Sequence, residues 1–140
     1  MTLKFRILHS AAKGPTFSNP GDAGLDLYAV ERVTIKAGRA ATIPTGVALE
    51  IPKGCVGLVW EKSGLAFNYN LKTLGGVIDE GYRGEIQVGL INLGSKSYTI
   101  ERGHKVAQLL IQQVHRPKIA LATKLSTSRR GSRGFGSSGK

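Results

Sequence analysis

The 140-residue sequence contains a single cysteine, Cys55, and no long apolar run. One cysteine excludes an intrachain disulfide and a metal site built from several thiolates. A membrane-spanning helix needs roughly 20 consecutive apolar residues, and the first residues lack the apolar core of a secretory signal. We therefore expect a soluble, intracellular protein. The length predicts one domain, and an apolar share of 41% argues against disorder.

Acidic residues are scarce, because nine Asp and Glu stand against 20 Lys and Arg and leave a formal charge of +11. No carboxylate follows Glu101 along the chain, whereas nine Lys or Arg do. A basic C-terminus of this kind suits a polyanion such as nucleic acid, and it equally suits a small phosphorylated ligand. Charge alone does not choose between the two.

Short alternating runs of apolar and β-branched residues, separated by glycine-containing turns, predict a mostly β fold. Strands are expected around residues 3–7 and over 45–51, 55–60, 86–93 and 106–114, and one short helix over 63–70. Many short strands at close spacing are typical of a sandwich, jelly roll or barrel. We divide the chain into a β domain over residues 1–125 and a C-terminal segment over 126–140. That segment has no periodicity, so its composition alone predicts a flexible tail.

Two glycine-containing segments in the first half of the chain contain candidate ligand contacts. In the first, Asp22 and Asp26 flank Gly24, and one carboxylate is free for a cation or its waters. The alternative is that Asp22 closes a turn and Asp26 lies on a solvated edge. In the second, Ser63 is a candidate N-cap beside Lys62. A helix N-terminus with a hydroxyl and a neighbouring cation suits an anion, although an ordinary capped helix has the same pattern.

A third segment, residues 75–85, places two glycines before a β-branched pair and Asp79. Paired glycines suggest that the backbone runs close to a ligand. Apolar neighbours predict partial burial of Asp79, which would suit a general base, and Tyr82 would close a pocket wall. The alternative is a hairpin with a polar turn.

The fourth segment, residues 130–139, combines Arg130, serines and glycines around a single aromatic residue, Phe135. Guanidinium, hydroxyl and freed backbone N–H groups suit phosphate oxygens, and Phe135 would stack on a base. The spacing does not match a P-loop. Upstream, the polar Gln108 interrupts an apolar strand, which predicts an inward-facing ligand contact.

Taken in chain order, these segments resemble the five motifs of the homotrimeric dUTP pyrophosphatases (dUTPases), here AGLDLYA, EKSGLA, GGVIDEGYRGE, RGHKVAQL and RGSRGFGSSG. The resemblance implies an all-β jelly roll (β-clip) with one short helix and a Gly-rich C-terminal lid. It also implies a homotrimer with active sites between subunits, which hydrolyses dUTP to dUMP and pyrophosphate with Mg²⁺ mainly on the triphosphate. Such an enzyme keeps uracil out of DNA and supplies dUMP for dTTP synthesis.

The resemblance also implies a role for each motif. Asp79 would activate the water that attacks the α-phosphorus, Asp26 would contact Mg²⁺ through water, and Tyr82 would pack on the deoxyribose. Main-chain groups of a hairpin from Thr73 to Ile78 would read uracil, with Gly76 allowing close approach. The phosphate-binding and lid residues would be Lys62, Ser63, Gly64, Gln108, Arg130, Phe135, Gly136 and Ser137.

The chain departs from the usual family pattern at Lys62, Gly81, His104 and Arg133. At the first of these, a point charge replaces the forked guanidinium that the family usually has. Two alternatives stay open: a dCTP deaminase-like enzyme, and a non-catalytic dUTPase-like module that binds a partner. Nucleic-acid binding through the basic tail is possible in the second case but is not favoured.

Overall fold

The computed structural model describes residues 1–134. Over this range the fold is mostly β with one short helix, as the sequence predicted. No helix among these residues is both long and apolar enough to cross a membrane. The elements in chain order are β1 Lys4–Ile7, β2 Leu25–Tyr28, β3 Val33–Ile35, β4 Ala40–Glu50, β5 Cys55–Trp60, α1 Ser63–Tyr69, β6 Leu71–Leu74, β7 Val77–Ile78, β8 Glu85–Asn92, β9 Tyr98–Ile100 and β10 Lys105–Gln113.

Two four-stranded antiparallel sheets enclose the core. Their strand orders are β1-β4-β8-β6 and β2-β10-β5-β7, and β3 and β9 form a separate pair. Alternate residues of β8 are fully buried, which is the period of a strand with one face on a core. Both sheets contribute to one hydrophobic cluster, with Leu27 and Leu109 from one sheet and Val47 and Leu90 from the other.

Strand β5 runs between β10 and β7 and therefore positions the residues on both of its sides. Gly57 faces Ile111 of β10 on one side and Ile78 of β7 on the other. At the far end of the strand, Trp60 faces Gln108. The chain then turns into α1, so the second predicted motif follows directly from the end of β5.

The predicted strands exist, but several short ones were missed. β5 has the predicted bounds, whereas β4 begins five residues earlier than expected and continues through Pro44. A proline is disfavoured inside a strand, but the β4–β8 register shifts just after Pro44, which accommodates it. The strands that the alternating pattern did not predict are β2, β3, β6, β7 and β9, which have two to four residues each, too few to show a periodicity.

Regular structure ends with β10, and residues 114–134 contain neither helix nor strand. Three large apolar side chains in this segment, Ile119, Leu121 and Leu125, are at least 82% exposed. They stand at odd positions, so they would share one face of an extended segment. The predicted boundary at residues 125 and 126 stays a prediction.

Candidate active site

Asp26, from the first motif, is a buried carboxylate held between two cations. It lies on β2 and is only 2% exposed. Its Oδ1 accepts a hydrogen bond from Lys62 Nζ at 2.5 Å, and its Oδ2 accepts from Ser18 Oγ at 2.5 Å and Lys105 Nζ at 2.7 Å. The alternative that Asp26 lies on a solvated edge is therefore wrong. β2 is buried on both faces, so alternation gave no sign of its environment.

The charge state of Asp26 follows from these partners. Burial alone would raise the pKa of Asp26, but the hydrogen bonds from Lys105, Lys62 and Ser18 lower it to about 2. The same contact raises the pKa of Lys105. The group is thus an ion cluster with one negative and two positive charges at neutral pH.

The described residues do not fit a resident metal ion. Among residues 1–134, no group of three or more His, Cys, Asp or Glu side chains could hold one. The Asp26 carboxylate already pairs with two ammonium groups, so its negative charge is balanced within the chain and the cluster has a net positive charge. A divalent ion at this site would therefore have to arrive with an anionic ligand.

The two expected caps have different outcomes. Asp22 closes a turn, because its Oδ2 accepts from the N–H of Asn19 at 2.9 Å. Ser63, in contrast, is not the N-cap of α1. It is the first helical residue and is exposed, whereas the N-cap is the extended Lys62, which makes no side-chain capping bond. The carbonyl of Lys62 accepts the hydrogen bond from Ala66 that begins the helix.

Glu61 organises the second motif, and the sequence analysis missed it. Its carboxylate accepts from Lys72 Nζ at 2.6 and 2.7 Å and from Thr73 Oγ1 at 2.7 Å, while its carbonyl accepts from Gln108 Nε2 at 3.1 Å. Hydrogen bonds from Lys72 and Thr73 lower the pKa of Glu61 to about 2. The one feature of the sequence that could have pointed to Glu61 is its position beside Lys62 in a chain with few acidic residues.

The predicted uracil-reading segment is not a hairpin of one sheet. β6 pairs with β8, whereas β7 pairs with β5 in the other sheet, so the segment crosses between sheets. Gly75 and Gly76 make the crossing with φ of 70° and 105°. The carbonyl of Gly76 accepts from the N–H of Val59 at 2.8 Å. The Thr73 hydroxyl donates its proton to Glu61, so this side chain could meet a ligand only as an acceptor.

Asp79 and Tyr82 line a separate pocket at the edge of the sheet, together with Val77, Ile78, Glu85 and Gln87. The expected partial burial of Asp79 is wrong for this chain by itself, because Asp79 is exposed. β7 is an edge strand, and its Val77 is 67% exposed, so the apolar pair does not shield the carboxylate. The Tyr82 hydroxyl donates to the carbonyl of Glu85 at 2.9 Å.

The structure brings the predicted residues together in two groups rather than one. Lys62, Ser63, Gly64 and Gln108 lie at the Trp60 end of β5, whereas Asp79 follows Ile78, which faces Gly57. A strand rises about 3.3 Å per residue, so these groups are separated by roughly 13 Å along β5. The pocket beside Gln108 shares no residue with the pocket beside Asp79.

The C-terminal candidates are described only in part. Arg130 donates to the carbonyl oxygens of Arg133 and Gly134 at 3.2 and 3.0 Å, so its recorded bonds are local. Phe135, Gly136 and Ser137 lie outside the described residues.

The chain is similar to known proteins in both sequence and fold. A sequence model of the dUTPase family matches residues 10–139. The chain belongs to the dUTPase family. A deoxyuridine 5′-triphosphate nucleotidohydrolase of Clostridium acetobutylicum is 43% identical to it, over 99% of this chain and 97% of the relative. One from Gloeothece citriformis is also 43% identical, with the same coverage.

Solved dUTPase structures share the jelly-roll fold of this family member. The dUTPase of Staphylococcus bacteriophage 80alpha, solved with dUpNHpp, superposes with a TM-score of 0.93 at 31% identity, over 99% of both chains. A mutant dUTPase of phage phi11 of S. aureus, described with a structural Mg(II) ion, gives 0.83 at 28% identity over 89% of this chain and 98% of that one. The predicted jelly roll is confirmed by this likeness.

Replacing Gly76 by alanine tests the close approach in the crossing segment. A Cβ at Gly76 would lie 2.6 Å from the carbonyl oxygen of Val59, on a backbone with φ of 105°. We expect Gly76→Ala to lower the free energy of unfolding by about 2 kcal/mol or more, measured by urea denaturation. Gly81→Ala is the matched control, since a Cβ there meets nothing within 4 Å. Equal effects of the two substitutions would contradict the assignment.

The pH dependence of stability tests the Glu61 contacts. A carboxylate with a depressed folded-state pKa stabilises the fold above its unfolded pKa and loses that effect as pH falls. We expect wild type to be more stable than Glu61→Gln above about pH 5, and the difference to shrink as pH falls from 4.5 towards about 2. Glu50→Gln, which breaks an exposed ion pair with Lys4, should change stability little. A difference that does not vary with pH would count against the network.

Proposed function

We propose that this chain is a dUTP diphosphatase, which hydrolyses dUTP to dUMP and pyrophosphate. The observation that carries the proposal is the exposed Asp79 carboxylate, placed beside a glycine-bent segment in a member of the dUTPase family. Relatives at 43% identity over nearly the full chain carry the name of this activity. Those names favour neither of the two alternatives, a dCTP deaminase or a non-catalytic module.

The reaction requires little covalent chemistry from the protein. Phosphoryl transfer depends on positioning of the water and on neutralisation of charge. Asp79 is the general base that orients and deprotonates the attacking water at the α-phosphorus. Lys62, Ser63, Gly64 and Gln108 bind phosphate oxygens from the other group of residues.

Magnesium accompanies the triphosphate as part of the substrate. The ion neutralises charge on the phosphate oxygens, and Asp26 meets its hydration shell. Because Lys62 and Lys105 both bind Asp26, this contact requires at least one ammonium group to transfer to the triphosphate. The arriving phosphate oxygens offer that ammonium group a new anionic partner, so the cluster exchanges ion pairs without leaving a buried charge unpaired.

The crossing segment and Tyr82 recognise the nucleoside. Main-chain groups from Thr73 to Ile78, with Gly76 permitting close approach, hydrogen-bond the uracil edge. A base with the wrong donor and acceptor pattern would leave buried polar groups unpaired, which discriminates strongly. Tyr82 packs on the deoxyribose and leaves no room for a 2′-hydroxyl.

The catalytic site is shared between chains of a homotrimer. Asp79 and Gln108 of one chain are separated by roughly 13 Å along β5 and line pockets that share no residue, so one chain does not gather them in a single pocket. The chain also exposes large apolar side chains, including Phe5, Phe17, Phe67 and Ile119, on a domain of 14.9 kDa. An interface that buries such residues and joins the two half-sites satisfies both observations.

The segment from residue 126 onwards closes over the bound nucleotide as a lid. Arg130 pairs with phosphate oxygens, Phe135 stacks on the base, and Gly136 and Ser137 donate to the phosphates. Binding energy orders the segment and excludes water from the reaction.

The enzyme acts inside the cell, where dUTP is formed, keeps uracil out of DNA and supplies dUMP for dTTP synthesis.

Turnover of nucleotides tests the reaction and the assigned base together. We expect wild-type protein with Mg²⁺ to release pyrophosphate from dUTP far faster than from dCTP, dTTP or UTP. Asp79→Asn should lower kcat by about 10²- to 10⁴-fold, because the general base is lost while the fold is kept. Glu50→Gln removes the same charge from an exposed ion pair and should leave kcat unchanged.

Two results would contradict different parts of the proposal. A wild type that releases no pyrophosphate from dUTP contradicts the function itself, and ammonia release from dCTP would replace it with deamination. Full turnover by Asp79→Asn contradicts only the assigned base.

A further inference from the structure

Glu80 directly follows Asp79, and its side chain reaches away from the pocket to the body of the fold. Its Oε2 accepts a hydrogen bond from the N–H of Gly54 at 2.9 Å and forms an ion pair with Arg116 Nη2 at 2.9 Å. The side chain is only 25% exposed, although the neighbouring Asp79 is exposed. Two adjacent acids therefore face different environments.

Gly54 connects this contact to the end of the last strand. It lies in the turn before β5, and its carbonyl accepts from the N–H of Val114 at 3.0 Å. One residue thus bonds Glu80 through its N–H and Val114, the residue that follows β10, through its carbonyl. Arg116, two residues further, contacts the same carboxylate. Three separate parts of the chain meet at Glu80.

The other recorded hydrogen bonds of the turn after Asp79 are local. The N–H of Tyr82 donates to the carbonyl of Asp79, Arg83 donates to the carbonyls of Glu80 and Tyr82, and the Tyr82 hydroxyl donates to the carbonyl of Glu85, where β8 begins. These bonds join residues at most three positions apart, so they shape the turn but do not attach it to a distant part of the chain. Attachment beyond the β7 ladder comes from the carboxylate of Glu80.

The Glu80 contact is charge-assisted. The N–H of Gly54 lowers the pKa of Glu80, and the nearby charges of Arg116 and Lys53 act in the same direction. An ionised acceptor forms a stronger hydrogen bond to a backbone N–H than a neutral one does. A neutral glutamine at position 80 could still accept the hydrogen bond from the N–H of Gly54, but it would lose the ion pair with Arg116.

We propose that Glu80 is a positioning residue with two separable tasks. Its bond to Gly54 holds the turn that carries Asp79, and its ion pair with Arg116 sets the direction in which the C-terminal segment leaves the fold. The proposal rests on the proposed function, because Asp79 and the lid have their roles there. The position of Asp79 and the direction of the chain after Arg116 then both depend on the Glu80 carboxylate.

Two substitutions at Glu80 separate these tasks. Glu80→Gln keeps an acceptor for Gly54 but loses the charge that pairs with Arg116, whereas Glu80→Ala loses both contacts. We expect Glu80→Ala to lower kcat for dUTP by about tenfold or more, since a small misplacement of a catalytic group costs that much. Glu80→Gln should keep kcat within about twofold and raise KM several-fold, and we expect Arg116→Ala to raise KM to the same extent.

A double substitution tests whether Glu80 and Arg116 act through each other. Glu80→Gln with Arg116→Ala should raise KM no more than either change alone, because residues that act as a pair are not additive. Glu50→Gln and Lys118→Ala are the matched controls for loss of charge. Variants that match these controls in both kcat and KM, or a double variant whose KM effect is the product of the two, would overturn the proposal.

Amide hydrogen exchange gives a readout that does not depend on turnover. Exchange at Gly54 and over residues 79–82 should be faster in Glu80→Ala than in wild type and unchanged in Glu80→Gln. Unchanged exchange in Glu80→Ala would overturn the attachment even in an active enzyme. Faster exchange in a protein that does not hydrolyse dUTP would keep the attachment and reject only the proposed function.

Discussion

Hydrogen bonding along β5 decides where the candidate residues of this family member lie. On one side β5 pairs with β10, which places Gln108 opposite Trp60, and on the other side it pairs with β7, which places Asp79 beyond Gly57. A strand is nearly inextensible, so these two positions cannot approach each other without breaking the ladder. Gln108 and Asp79 therefore lie near opposite ends of β5. The proposed sharing of the site between chains rests on this separation.

Electrostatics within each half of the site follow a common arrangement. Asp26, Glu61 and Glu80 are three of only nine acidic residues, and each is bound by at least one cation. These pairs hold segments in place, and their depressed pKa values keep them ionised at neutral pH. Asp79 differs, because among residues 1–134 no hydrogen bond or ion pair engages its carboxylate. An uncommitted carboxylate suits a group that must accept a proton.

The excess of Lys and Arg divides into residues that pair with carboxylates of the chain and residues that do not. Some cations, such as Lys62, Lys72 and Lys105, are used inside the chain to bind carboxylates. Others remain along the C-terminal segment, where the bonds of Arg130 to residues up to 134 are to nearby carbonyl groups. A charge distribution of this kind fits a nucleotide that exchanges ion pairs with the site more closely than it fits a long polyanion.

Local patterns in the sequence were enough to predict the fold class, the β5 strand and the short helix. They could not predict β7, since two residues show no periodicity. Nor could they predict the crossing between sheets, because it depends on the pairing of Thr73 with β8 and of Val77 with β5, and both partners are distant in the chain. The motifs identified Asp26 but not its burial, because the ammonium groups that compensate its charge come from positions 36 and 79 residues away. Glu61 and Glu80 went unassigned for the same reason, since their partners are distant in the chain.

Complementation between two inactive variants tests the shared site most directly. Asp79→Asn and Gln108→Ala, which we expect to be nearly inactive alone, are co-expressed with different tags, and the mixed assemblies are purified and assayed with dUTP. If each site takes Asp79 from one chain and Gln108 from another, every mixed trimer combines two intact halves at one of its three interfaces, so the purified mixed assemblies recover about a third of wild-type activity. If both residues act within one chain, no mixture contains an intact site. Absence of any recovery in mixed assemblies would contradict the account.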